Sequence, residues 1–552
     1  MPQPRLLSRI DRLLNRHLGG AAPSAAPAPV ADSSQFCAWT AVGATAIFLF
    51  YGLAHIQADF WFDEWLTVLQ YASYDRLYQV LTTYDQANNH ILFSVVQRAW
   101  FQVFGYGSEG LARLPSVFMA VLTLMLCYHQ GRRLFGRASA GMLLLLLMAF
   151  SPVYIGFFSQ LRGYSMTILL STLATFGALH LVRGQPRTGA FMFCLGALPL
   201  PGVLPSNALV TVSLFVFLNL ALTRTRQWRR RWPYLLVCAL ALAGGGAIYL
   251  PIHDQFIQVL QQTRGWPAGW RVAAHWLLAL VAHLGFFVTA CIALRRKAQA
   301  GTDPDEDAAA AQAQLRPLLL LLAACCLLPL LGAALVQAPF PRALLGYLPP
   351  LTLAGMYVYD HAALRRNQYC YLLVFFVLTN FLCWTRMAHY RMEIARSRGV
   401  HRQNLLQQYY ARSRDVSRTV NWLRYQQQLP VNVKIFVDFH YYVATRRYWG
   451  LTGAPMQAVE CLNAPPGSEA FALKLPRAVY ARLPVVILTY APEAARAAYR
   501  DCTGVEIDLR PLPAPSQLGI FQVVQTPTAP PAPPDDGNRV QPLWQEPEGK
   551  PL

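Results

Sequence analysis

The chain has 552 residues, a net charge of +20 and a mean hydropathy of +0.29. That hydropathy excludes an ordinary soluble protein, and the length exceeds one small domain. The charge does not indicate a nucleic-acid partner, because the arginines collect in short links between apolar runs, as the positive-inside pattern requires. Residues 1–35 carry Arg5, Arg9, Arg12 and Arg16 ahead of an Ala/Pro tract without a hydrophobic signal segment, and read as a cytoplasmic arm. Apolar runs of the length that crosses hydrocarbon follow at 36–56, 111–131, 138–158, 164–182, 189–201, 203–222, 233–252, 271–294, 316–337, 343–360 and 368–387. With the N-terminus inside, the basic links at 132–137, 183–187, 224–231, 295–297 and 365–366 all fall on the cytoplasmic side. The odd span count then places the chain beyond about residue 388 on the far side. Around Pro199, Pro201 and Pro205 the two runs could instead form one broken or re-entrant hairpin.

The non-cytoplasmic loop 57–110 is too long and too aromatic for a plain connector. Its segment Ile91 to Phe104, with Gln97, Arg98 and Gln102, suits a helix lying along the membrane interface. A second such loop, His253 to Arg271, carries Trp266 and Trp270, residues that favour the headgroup level. The link 298–315 is acidic and Ala-rich, a flexible tether. Residues 391–526 change character: Met392 to Gln428 is charged and helix-permissive. After it come β-rich runs at 433–439, 485–489, 505–509 and 518–524, with helical segments at 468–483 and 492–499. That alternation predicts a small α/β domain. The tail 527–552 is Pro-rich and reads as disordered. The expected fold is therefore a polytopic α-helical membrane protein of about eleven spans, N-in and C-out, closed by a small extracytoplasmic α/β domain. Nine of the eleven cysteines fall in apolar runs, where a thiol acts as a small hydrophobe; Cys461 and Cys502 lie in the polar region, either as a disulfide or as unlinked structural residues.

The acidic pair Asp63-Glu64 sits just where the first apolar run ends. Two carboxylates so close to hydrocarbon suit either an enzyme that needs a base at the membrane surface or a polar cap on an interfacial loop.

Several motifs bear on that choice through their order. They are Asp63-Glu64; His90-Ile91-Leu92-Phe93; Phe104-Gly105 followed by Ala112-Arg113-Leu114-Pro115-Ser116; Gly131-Arg132-Arg133-Leu134-Phe135-Gly136; Ser159-Gln160-Leu161-Arg162-Gly163-Tyr164-Ser165; and Pro341-Arg342 through Leu348-Pro349. In this order the chain resembles the GT-C class of membrane glycosyltransferases, in the branch of protein O-mannosyltransferases and lipid A aminoarabinose transferases. The resemblance covers residues 36–390, and it implies a transmembrane glycosyltransferase domain in the bacterial inner membrane with its active site facing the periplasm. It further implies a donor sugar carried on polyprenyl phosphate (dolichyl or undecaprenyl) and a lipid, glycan or protein acceptor.

The same resemblance implies roles for single residues. Asp63 would be the general base of an inverting displacement. Glu64 would orient the acceptor, bind a metal or hold a basic neighbour. Arg162 and Arg342 would meet the donor phosphate, with His90, Tyr164 and Arg113 as further donor-side candidates. Each has a plainer alternative: an arginine snorkelling from a helix end, a histidine capping its helix, an interface tyrosine, a helix-end anchor. A divalent metal stays open, since no compact His/Asp ligand set is encoded. A lipid-linked sugar flippase would carry ionisable residues deep in its spans and an internal repeat, whereas here buried charges are few, no repeat is apparent and the acids collect in the loop; a polysaccharide polymerase or ligase would place its large loop late, whereas here the long loop comes first.

Overall fold

A computed structural model describes residues 34–262, 345–361, 416–461, 485–512 and 519–525, with short gaps at 57–58, 61, 75, 85–88, 107, 224–227, 428, 430–432, 438, 456–457, 490–491 and 504–505. The expected spans at 271–294, 316–337 and 368–387, the link 298–315, the helix at 468–483, the tail, and Arg342 lie outside the described residues. In chain order the helices are α1 (Ser34–Ile56), α2 (Phe62–Leu66), α3 (Leu77–Thr82), α4 (Ile91–Phe104), α5 (Glu109–Phe135), α6 (Ala138–Ala149), α7 (Pro152–Phe157), α8 (Tyr164–Val182), α9 (Pro186–Ala197), α10 (Leu200–Val203), α11 (Asn207–Thr223), α12 (Trp228–Ala247), α13 (His253–Gln262), α14 (Leu348–His361), α15 (Val416–Asn421), α16 (Phe439–Leu451) and α17 (Pro492–Thr503). The chain divides into two units. The first comprises residues 1–56, 71–103 and 112–383; the second comprises 57–70, 104–111 and 384–552.

The first unit is helical and apolar. Among the described residues three stretches are long and apolar enough to cross a membrane, Glu109–Phe135, Tyr164–Val182 and Trp232–Val259, beside shorter apolar helices at Gln35–Phe50, Ile91–Phe104, Ala138–Ala149 and Asn207–Leu222. Where the sequence predicts one span over 138–158, two helices form. α6 ends at Phe150, Ser151 caps α7 by accepting Tyr154 N–H, and Pro152 occupies the first turn of α7. A residue ahead of proline is pushed out of the helical region, so a Ser-Pro step breaks an otherwise unbroken apolar run. The run predicted at 189–201 likewise splits into α9 and α10 at the proline-rich step.

The tightest seam lies between α8 and α9. A Cβ on Gly189 would sit 2.6 Å from Leu181 N, and one on Gly177 or Gly196 would overlap the backbone of the facing helix. Glycines let the two backbones touch, which is how helices associate where lipid removes the hydrophobic drive. Polar side chains add cross-links: Asn207 Nδ2 donates to Thr167 Oγ1 (3.0 Å) and to Leu200 O (3.1 Å), and the Ser213 and Tyr347 hydroxyls meet at 3.1 Å.

The second unit contains a five-stranded sheet ordered β2-β1-β3-β5-β4. Its strands are β1 (Lys434–Val437), β2 (Val459–Cys461), β3 (Val485–Thr489), β4 (Ile507–Pro511) and β5 (Gly519–Gln525). The pairs β1–β2 and β1–β3 are parallel, whereas β5 runs antiparallel to both β3 and β4. The central strand β3 is buried along its length, as the unbroken Val-Val-Ile-Leu run requires. α17 closes one face by packing Ala495 and Tyr499 on Phe436, Ile487, Ile507 and Leu509. At the parallel edge Lys434 Nζ lies 2.8 Å from Glu460 Oε1, so the largely buried carboxylate is paired with its cation.

Candidate active site

His90 precedes the first turn of α4. Its carbonyl accepts Ser94 N–H at 2.9 Å, and Asn89 Oδ1 accepts the Ser94 hydroxyl at 3.1 Å, so the helix start is closed without the imidazole. The ring is thereby available to reach the loop between α7 and α8. That loop, Ser159 to Gly163, turns tightly: Arg162 N–H donates to Gln160 O at 2.7 Å, and the Ser165 hydroxyl donates to Phe158 O at 2.8 Å. Gly163 N–H then donates to His90 Nδ1 at 2.9 Å, while Arg162 Nη2 lies 2.9 Å from His90 Nε2. Tyr164 stacks edge-on to the imidazole with ring centres 5.1 Å apart, and the Arg162 guanidinium carbon lies 6.0 Å from the Tyr164 ring centre. All three side chains are buried. No room exists for a side chain at Gly163, where a Cβ would meet His90 Nδ1 at 2.6 Å and Val203 Cγ1 at 2.5 Å.

The hydrogen-bond chemistry of this cluster is constrained. Nδ1 accepts the Gly163 amide, so a neutral His90 carries its proton on Nε2. A guanidinium is a donor only. With that tautomer the 2.9 Å approach of Arg162 Nη2 to Nε2 is a close contact of two donors and not a hydrogen bond, so what the cluster offers is a buried cation held beside an imidazole.

Arg113, also in the first unit, is fully buried and donates to Ile56 O at 2.7 Å, tying α5 to the C-terminal end of α1. A cation at a helix C-terminus meets its last carbonyls and the negative end of its dipole, which fits the helix-anchor alternative.

Asp63 and Glu64 belong to the second unit, in the first turn of α2. Acids there are favoured by the helix N-terminus. Glu64 is 0% exposed and Asp63 8%, so Asp63 is the member of the pair nearer solvent. The Thr67 hydroxyl donates to Asp63 O at 3.1 Å, and the chain continues as a π-helix over Thr67–Ala72. Trp65 is buried between the rings of Phe60 (5.1 Å) and Tyr448 of α16 (5.7 Å), both edge-on. Four residues ahead of Asp63, Asp59 accepts Ser417 N–H at 2.8 Å and the Ser417 hydroxyl at 2.7 Å. The Tyr448 hydroxyl donates to Glu109 Oε1 at 3.0 Å. Asp59, Glu109, Ser417, Asn421, Tyr425 and Tyr448 line a cavity of about 380 Å³. Among the described residues no group of three or more His, Cys, Asp and Glu side chains could hold a metal ion.

Asp59, Glu109, Ser417 and Tyr448 were not candidates from sequence. They are joined across 358 residues for Asp59–Ser417 and 339 for Glu109–Tyr448, and no local spacing encodes either pairing.

Burial pushes the Asp59 carboxyl up to about 6 from its ordinary 3.8, against the opposing pull of the Ser417 donors. Between those values the folded chain holds a proton that the unfolded chain has released, so stability falls as pH rises through that window and is level above it. Lowering the pH from 7 to 5 should therefore add about 1 kcal/mol from this group. Thermal midpoints at the two pH values should rise less for Asp59→Asn than for the native chain, and equal rises would show that another group titrates.

Residues 88–245 match the family model of dolichyl-phosphate-mannose-protein mannosyltransferases. That segment, less than a third of the chain, contains His90, Arg113, Arg162 and Tyr164 and leaves out Asp63, Glu64 and Arg342. Comparison with curated proteins finds no match. Among solved structures, ArnT from Cupriavidus metallidurans bound to undecaprenyl phosphate superposes with a TM-score of 0.50 at 11% identity, over 91% of this chain and 100% of that one. Its apo form gives 0.50 at 11%, over 89% and 98%. The likeness is one of fold: an ArnT-like GT-C architecture.

Proposed function

We propose that the protein takes a sugar from a polyprenyl-phosphate carrier and transfers it to an acceptor on the periplasmic face of the bacterial inner membrane, by inverting displacement. The observation that carries this reading is the buried Arg162 guanidinium held 2.9 Å from His90 Nε2, with Gly163 N–H on the other ring nitrogen. A departing phosphate is an oxygen-rich dianion that needs such donors in place before its charge develops. The family segment spanning these residues supports the assignment, as does the fold shared with a protein that binds undecaprenyl phosphate. In the reaction an acceptor O–H attacks the anomeric carbon and the carbon–oxygen bond to phosphate breaks. The phosphate leaves with that electron pair, and Asp63 takes the acceptor proton. Glu64 orients the acceptor, and Arg342 adds a second cation to the phosphate.

Undecaprenyl phosphate added to the purified full-length protein tests the carrier site. Ligand at a hundred times its Kd stabilises the folded state by about 2.7 kcal/mol, a shift of several degrees in Tm. The native chain should show that shift and Arg162→Ala should not. A native Tm unmoved by the lipid would refute the carrier assignment.

A further inference from the structure

An isolated helix shorter than about 12 residues is marginal in water. α2 and the π-helix that continues it run only from Phe62 to Ala72, and their first turn bears Asp63 and Glu64. Part of what holds that turn comes from segments more than 340 residues away. α16 packs on α2, with Tyr448 edge-on to Trp65, the residue after Glu64. Tyr448 is itself fixed by its hydroxyl bond to Glu109, and the approach to α2 is pinned where Asp59 takes both donors of Ser417. Phe60 completes the seat from the other edge of Trp65 and also meets Tyr106 at 6.1 Å.

We propose that Tyr448 is a positioning residue for the transfer reaction: through Trp65 and Glu109 it sets the orientation of the helix that carries Asp63 and Glu64, making the C-terminal segment 416–452 part of the catalytic assembly. The inference rests on the glycosyltransferase reading above. It differs from a stability role because the side chain acts on the acid pair and not on the carrier-binding His90–Arg162 cluster. A small displacement of a base lowers turnover while donor binding stays as it was.

The test uses full-length protein in membranes, with a radiolabelled polyprenyl-phosphate sugar pool as donor, and kinetics expressed per folded molecule. Tyr448→Leu, which keeps apolar volume but loses ring and hydroxyl, should lower kcat about 10- to 100-fold with donor KM within about twofold of native. Tyr448→Phe, which keeps the ring against Trp65, should restore most of that turnover while remaining about threefold below native. Undecaprenyl phosphate should raise the Tm of both variants as it does the native chain. Native kcat in Tyr448→Leu overturns the inference, as does a parallel loss of kcat and carrier response. If Tyr448→Leu does not accumulate, Tyr448→Phe decides alone, by lowered or native kcat. A native enzyme that shows no transfer at all defeats the glycosyltransferase reading instead, so the two failures are distinguishable.

Discussion

Asp63→Asn is expected to accumulate normally and to transfer sugar about 10²- to 10⁴-fold more slowly than the native chain, the range that a positioned general base contributes. The substitution is nearly isosteric, and the carboxylate it removes lies at the 8%-exposed edge of α2 beside a fully buried Glu64. The Thr67 hydroxyl bonds the Asp63 backbone carbonyl, a contact that an asparagine retains. Loss of product with normal abundance and an unchanged Tm response to undecaprenyl phosphate would place Asp63 in the chemical step. Undiminished transfer would remove it from the mechanism and return the acid pair to the role of a loop cap. Glu64→Gln provides the contrast, because a wholly buried carboxylate orients its neighbours and should mainly raise the acceptor KM.

Gly163→Ala should be nearly as damaging, by a different route. The new methyl would stand 2.6 Å from His90 Nδ1 and 2.5 Å from Val203 Cγ1, well inside van der Waals contact. Either the imidazole withdraws, breaking its bond from Gly163 N–H and its 2.9 Å contact with Arg162 Nη2, or α10 shifts with Val203. In the first case one phosphate donor is misdirected, a loss of about 10²- to 10³-fold in turnover by analogy with removing one oxyanion-hole donor. Transfer rate and the carrier-induced Tm shift should therefore fall together. His90→Ala in the same background should add little further loss, because the two substitutions act on one contact. Full additivity would separate the glycine from the histidine.

The membrane core was legible because its signals are local. The span 164–182 emerges with the bounds expected, since the apolar run is closed by Gly163 on one side and Arg183-Gly184 on the other. Hydropathy does not register hydrogen-bond geometry, so the break at Ser151-Pro152 leaves the apolar run 138–158 unmarked. In the sheet, β3 falls on its expected run, and β1, β4 and β5 fall within about two residues of theirs. β2 has no sequence signal because three residues, Val459-Glu460-Cys461, are too few to display alternation. The site divides in the same way. His90, Arg162 and Tyr164 were named from motif order, which captures identity but not which ring nitrogen meets which donor. The Asp59–Ser417 and Tyr448–Trp65 contacts depend on chain closure over hundreds of residues, for which a single sequence offers no cue.

The glycine seam between α8 and α9 makes that hairpin a two-faced object for mutation. On the inner side a single added methyl forces two backbones apart. On the outer side Phe191, Leu195 and Leu198 stand open, and any oily side chain would serve equally well there. A saturation library over 164–198 should therefore read as stripes, with drift permitted outward and almost none inward, and each stripe keeping the pitch of its helix.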